Sequence, residues 1–238
     1  VIGRSLEDKT VAVFGGSSGI GFAVAGQALA AGARVTILSR DPARLAAASS
    51  RLDRADTFAL DVRDAAAVAA FFAARPAFDH VVVSAAQLSV GPLRQRRLED
   101  ERAAVDSKFW GAVHVAHAAS ITAGGSLTLV SGMLGVRPSG KATVLSAVNA
   151  ALDTLACALA SELAPVRVNC VAPGRIDTEW WDYLPSGQRD ALLERTAEAL
   201  PVGRVGQPQE IAATIVHCML NGFLTGSVLS VDGGGSIA

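Results

Sequence analysis

Short apolar runs and longer alanine-rich stretches alternate along this whole chain, and that alternation constrains the fold more than any other feature. Runs at 10–14, 34–38, 57–60, 80–84, 126–131, 166–171 and 227–231 are rich in Val, Ile or Leu and bounded by Gly, Asp, Pro or Ser, which predicts strands. Their near-continuous apolar character suits a parallel sheet covered on both faces. The stretches 19–31, 42–51, 65–74, 98–120, 140–163 and 207–221 carry Ala and Leu, which favour helix, and are long enough to cross over between parallel strands. The expected architecture is α/β: a doubly wound, seven-stranded parallel sheet with helices on both faces. No linker or repeat divides the chain, so residues 1–238 are expected to form a single domain. Segment 177–206 has no strand between two core elements, and an insertion of that size near the carboxyl end of a sheet reads as a lid.

Composition limits the partners. The chain has 238 residues, half of them hydrophobic and 18% charged, which is globular and not disordered. A chain this long can bury roughly three quarters of its unfolded surface without disulfides or metals. A net charge of −1 offers no electrostatic case for nucleic acid or an anionic membrane. No uninterrupted apolar run reaches the length of a membrane span, and residues 1–10 lack the apolar core of a signal peptide. A cytoplasmic location is the expectation. Cys157, Cys170 and Cys218 are widely spaced and predicted to be buried free thiols. His80, His114, His117 and His217 show no metal-ligand spacing, and no metal site is expected.

The segment Gly15-Gly16-Ser17-Ser18-Gly19-Ile20-Gly21 follows the first strand and opens a helix. Glycines there let the backbone turn tightly and approach a pyrophosphate, while free N–H groups at the helix start attract its charge. The spacing is G-x-x-x-G-x-G, and its place between strand and helix predicts a dinucleotide site.

Here the chain resembles the short-chain dehydrogenase/reductase family, nearly from end to end. Asp61-Val62 after the third strand is similar to the family's adenine-contacting pair. Arg167-Val168-Asn169 and Pro173-Gly174-Arg175-Ile176-Asp177-Thr178 resemble its sixth strand and following turn. Pro201-Val202-Gly203-Arg204, Gln207-Pro208 with Glu210-Ile211-Ala212, and Val231-Asp232-Gly233-Gly234 match its C-terminal portion in order and spacing. The resemblance implies a Rossmann-type fold, a nicotinamide cofactor and a homodimer or homotetramer. The helices at 98–120 and 140–163 would carry that contact, although Leu152, Leu155, Ala156 and Leu159 suit the core equally well.

Charge decides between the two nicotinamide cofactors. The second strand ends Leu38-Ser39-Arg40, where an acidic residue would bond the ribose 2′-hydroxyl of NAD and repel a 2′-phosphate. Ser39 takes that place and Arg40 offers a guanidinium suited to phosphate. Arg40 otherwise reads as a solvated charge at a helix entry. NADP(H) is the expected cofactor. The resemblance adds Ser84, Ala85 and Ala86 after the fourth strand, where the family has Asn-Asn-Ala, as small residues against the cofactor. It adds Pro173, Gly174 and Ile176 as neighbours, with Thr178 at the nicotinamide carboxamide.

The family's catalytic Ser, Tyr, Lys and Asn have no counterparts in the expected places. Ala150-Ala151-Leu152-Asp153 resembles the residues after the Lys, which puts Asn149 at the Lys position, Leu145 at the Tyr and Gly132 at the Ser, one residue after Ser131. Lys108-Phe109-Trp110-Gly111 resembles the family's Asn-x-x-Gly, which puts Lys108 at the Asn. Amide and ammonium have exchanged ends. One reading keeps Lys108 as a cation and general acid beside the nicotinamide ribose, its proton made labile by like charge, with Asn149 on the ribose hydroxyls. The other makes Lys108 structural or part of an interface ion pair. Ser131 is the remaining candidate for steadying a substrate oxygen. The only tyrosine, Tyr183, lies in the lid with Trp180 and Trp181, where the three either wall a substrate pocket or pin the lid. Three functions follow: an NADP(H)-dependent oxidoreductase acting on an unidentified carbonyl, imine or activated alkene; a catalytically inactive NADP(H)-binding sensor, scaffold or partner subunit; or non-redox catalysis on the same fold.

Overall fold

In the computed structural model, which describes residues 5–238 apart from the side chains of Tyr183 and Ser186, seven strands form one parallel sheet in the order β3-β2-β1-β4-β5-β6-β7. The strands are β1 (Thr10–Phe14), β2 (Arg34–Ser39), β3 (Asp56–Ala59), β4 (Phe78–Val83), β5 (Ile121–Val130), β6 (Arg167–Pro173) and β7 (Val228–Val231). The helices are α1 (Gly19–Ala30), α2 (Pro42–Arg51), α3 (Ala65–Ala73), α4 (Leu98–Val105), α5 (Gly111–Ala118), α6 (Thr143–Glu162), α7 (Ser186–Ala199) and α8 (Pro208–Leu220). Residues 1–4, part of the stretch read for a leader peptide, lie outside the described residues.

Alternating side chains build two cores. Val11, Val13, Val35, Ile37, Val82 and Val171 face one side and pack with α1 and α8, whereas Ala12, Phe14, Leu38, Val81, Val83 and Leu129 face the other and pack with α3, α5 and α6. The chain runs from β1 to the β3 edge and returns to place β4 on β1's other side. The order therefore reverses between β1 and β4, and ligands of doubly wound sheets bind at the carboxyl ends beside such a switch.

Several expectations need correction. The stretch 98–120 is not one helix: a single π-helical turn at Asp106–Trp110 separates α4 from α5. Its extra residue turns Ser107 and Lys108 inward, both buried. Segment 177–206 lacks a strand, as expected, but contains a 3₁₀ turn (Glu179–Tyr183) and helix α7. Cys157 is exposed, whereas Cys170 and Cys218 are buried. Helix α6 has the length and mean hydropathy, 1.5, of a membrane span even though its sequence includes Asp153 and Glu162. In the fold its Val148, Leu152, Ala156 and Leu159 are buried in the second core, with Leu155 partly buried against it. The apolar face offered for an assembly contact thus belongs to the monomer's own interior.

Candidate active site

The glycine turn is shaped by contacts that exclude side chains. Gly15 has φ +84, and a Cβ there would lie 2.6 Å from the backbone N of Ala85. A Cβ on Gly21 would lie 2.3 Å from the Gly15 carbonyl oxygen, so its bareness lets α1 settle onto the turn. The turn then opens on a cavity of about 520 Å³, within the roughly 300–1,000 Å³ typical of ligand clefts.

Of the residues singled out for cofactor binding, Gly15, Ser17, Ser18, Gly19 and Ile20 line this cavity from the turn. Ser39 and Arg40 line it from the end of β2, Asp61 and Val62 from beyond β3, Ser84, Ala85 and Ala86 from beyond β4, and Thr178 from the lid. Gly21, Lys108, Asn149, Pro173, Gly174 and Ile176 are not in its wall. Gly174 packs against the backbone of Asp232, where a Cβ would come within 2.6 Å, and Ile176 is buried against Gly206.

At the β2 end the wall is cationic and rich in hydroxyls. Ser17 Oγ donates to Ser39 Oγ at 3.1 Å, and the Arg40 guanidinium donates to Gln87 Oε1 at 3.2 Å. Arg44, which the sequence reading missed, joins them and donates to Ser18 Oγ at 2.7 Å. Asp41 caps α2 through the N–H groups of Ala43 and Arg44, and this sets the helix start that aims Arg44 at the cavity. The signal available was spacing, because Arg44 follows Arg40 by four residues across that cap. Ser107, Leu88 and Glu179 are further wall residues that were not singled out. Asp61 is gripped by the Arg63 guanidinium, a hydrogen-bonded pair that holds its carboxyl below the usual range against the opposing effect of burial. His114 Nδ1 lies 2.9 Å from the Val62 carbonyl oxygen and steadies that edge.

Behind the cavity lies a buried polar group of side chains. Lys108 Nζ donates to the Ser131 carbonyl at 2.8 Å, and the Ser131 hydroxyl donates to Asp153, which also accepts from the Cys170 thiol at 3.3 Å. Burial pushes the Lys108 ammonium down to about 8, opposed by nearby Cys170 and Asp153, and pushes the Cys170 thiol up to about 12. The lowering of Lys108 is therefore a property of its burial. Asn149, on α6 with Leu145, sets its amide against Gly132, and its Oδ1 is buried with no hydrogen-bond partner among the described residues. That orphaned acceptor suits a hydroxyl donor. In the lid, Trp180 reaches the cavity wall, while Trp181 donates from Nε1 to the Ile176 carbonyl at 2.8 Å and so pins the segment. Tyr183's side chain lies outside the described residues.

Comparison with known proteins places this geometry in a lineage. Residues 15–236 match the family model described as enoyl-(acyl carrier protein) reductase. A short-chain dehydrogenase/reductase of Acremonium sp is 34% identical over 256 residues, covering 98% of this chain and 97% of that one. A small-chain dehydrogenase solved in complex with NADPH has a TM-score of 0.86 at 34% identity, over 98% of this chain and 100% of its own. A short chain oxidoreductase from Pseudomonas aeruginosa PAO1, solved without ligand and described as containing an atypical catalytic center, has a TM-score of 0.89 at 30% identity, over 99% and 100% of the two chains. With the glycine turn, the switch-point cavity and matches over nearly its whole length, this chain belongs to the short-chain dehydrogenase/reductase family of oxidoreductases.

Proposed function

We propose that this protein is an NADP(H)-dependent oxidoreductase whose proton-handling residues differ from the family's usual Ser, Tyr and Lys. The observation that carries the reading is the end of β2, where Ser39 stands in place of an acid and Arg40, Arg44, Ser17 and Ser18 gather around it. Two guanidiniums and three hydroxyls suit a phosphate, and the NADPH complex of a relative supports the same cofactor. When bound, the nicotinamide supplies hydride. The turn from Gly15 to Ile20 holds the pyrophosphate, Asp61 and Val62 border the adenine, and Thr178 lies at the carboxamide end.

The remodelled site divides its work between buried groups. Leu145 has no proton to give. Lys108 holds one on Nζ at the Ser131 carbonyl, and its lowered proton affinity suits a general acid. The orphaned Asn149 Oδ1 suits a ribose hydroxyl, and the Ser131 hydroxyl is held by Asp153. A polarised C=O, C=N or conjugated C=C bond is the substrate class that this arrangement fits.

Calorimetric titration tests the reading. NADPH is expected to bind about a hundredfold tighter than NADH, the effect of two charge-assisted contacts. An Arg40→Ala, Arg44→Ala double variant should lose most of that preference while keeping NADH affinity. Equal affinities for the two cofactors would remove the 2′-phosphate assignment, and binding of neither would remove the oxidoreductase reading.

Assembly belongs to the same proposal. Leu98 is 60% and Trp110 48% exposed, large apolar side chains at the start of α4 and at the break between α4 and α5. Sedimentation should give a dimer or tetramer that Trp110→Glu weakens, and a monomeric unaltered protein would contradict it.

A further inference from the structure

Helix α1 begins without a cap of its own. Ser18 stands at the N-cap position, yet its side chain makes no capping bond, and its hydroxyl accepts from Arg44. The first turn of α1 contains no acidic residue either. The missing acceptor comes from 160 positions along the chain: Glu179 Oε2 accepts from the Gly19 N–H at 3.1 Å. Gly19 has φ +53, and a Cβ placed on it would touch Thr178 at 3.4 Å and approach the same carboxylate oxygen at 3.9 Å. The base of the lid is thus seated on the N-terminus of α1.

That base is fastened on its other side. Asp177 N–H donates to the Gly206 carbonyl at 2.9 Å and Asp177 receives Arg189 at 2.7 Å, so the contact with Gly19 joins a braced lid to the cofactor cavity. The Gly19 N–H is also one of the free donors that a pyrophosphate needs at this helix start. A carboxylate and a pyrophosphate cannot share it, since the two anions would repel at contact distance.

We propose that Glu179 is an internal competitor for the pyrophosphate seat, tethering the lid to α1 until the cofactor's phosphates displace it. Cofactor entry and lid release become one event, and the lid rearranges over substrate only after the dinucleotide is in place. The inference rests on the dinucleotide reading given above.

The test compares the unaltered protein with Glu179→Ala and Glu179→Gln, using NADPH and adenosine 2′-monophosphate as calorimetric probes and trypsin on the free proteins. NADPH, which has the pyrophosphate, should bind about tenfold tighter to both variants, on the scale of one charge-assisted hydrogen bond. Adenosine 2′-monophosphate, which lacks it, should bind all three proteins alike and thereby reports that the variants are folded. Without nucleotide, cleavage after Arg189 and Arg195 in the lid should quicken in Glu179→Ala. Unchanged or weaker NADPH binding by the variants would overturn the proposal, as would unchanged cleavage. If neither probe bound any of the proteins, the dinucleotide reading would fall, and the cleavage rates would still decide whether Glu179 tethers the lid.

Discussion

Replacing Phe71 with alanine is expected to lower the folding free energy by about 4 kcal/mol, the usual cost of emptying a buried phenylalanine site. Phe71 is 2% exposed and sits among four other rings. Its centroid is 5.9 Å from Phe14 in an edge-to-face pair, 5.0 Å from Phe58, 5.2 Å from Phe72 and 5.9 Å from Phe78. Arg75 adds its guanidinium over the Phe71 ring at 4.2 Å. The cluster is drawn from β1, β3, β4 and α3, and the sheet and helix backbones that carry its rings limit how far they can collapse into the space left behind. The loss also reaches the site, because Phe14 is the last residue of β1 and Gly15 follows it directly. Denaturant titration should show the drop in midpoint with little change in slope, and nucleotide affinity should fall in parallel as the turn loosens. A loss under about 1 kcal/mol would mean that the cluster relaxes and contributes little to holding the turn.

The parts of the fold that sequence made legible are those where one physical requirement acts on many residues. A parallel strand buried on both faces must be apolar throughout, so Val11 to Phe14 and Val81 to Val83 announce themselves. The glycine turn is legible for a similar reason, since backbone approach at Gly15 and Gly21 tolerates no Cβ. The π-helical turn at Asp106–Trp110 leaves no such mark: one extra residue enters without glycine or proline, and only its inward Ser107 and Lys108 reveal it. Helix α7 was hidden because its sequence, from Gly187 to Ala199, is polar on most sides and lacks an apolar stripe. In the site, Arg40 was legible from its place after a strand, whereas Arg44 depended on where the Asp41 cap starts the helix. Glu179 depended on a tertiary contact across 160 positions, which no local pattern encodes.

Lys108→Met should abolish the rise of stability with alkaline pH that the buried ammonium imposes. The Lys108 proton affinity falls to about 8 in the folded protein from an ordinary 10.5, so the unfolded chain holds more protons between those values. Stability attributable to this residue therefore rises with pH across that window: the cost of burying the charge is fully present below about pH 8 and is relieved as pH climbs toward 10.5. The shift corresponds to about 3 kcal/mol. Methionine fills similar space without the charge, but it leaves the Ser131 carbonyl without its donor, a loss of about 1–2 kcal/mol. At pH 7 the variant should be more stable than the unaltered protein by about 1–2 kcal/mol, the difference between those two effects. Near pH 10.5 the order should invert, since a neutral lysine keeps its hydrogen bond at little cost. Comparing the two proteins by denaturant titration at each pH cancels the opposing contribution of Cys218, whose thiol burial pushes up to about 11, whereas Cys170, pushed up to about 12, interacts with Lys108 and adds to the measured difference. A difference between variant and unaltered protein that stays flat with pH would show that Lys108 is not held as a strained cation. It would equally remove the reason for regarding its proton as ready to leave, because a lysine at ease in its burial has no drive to become neutral.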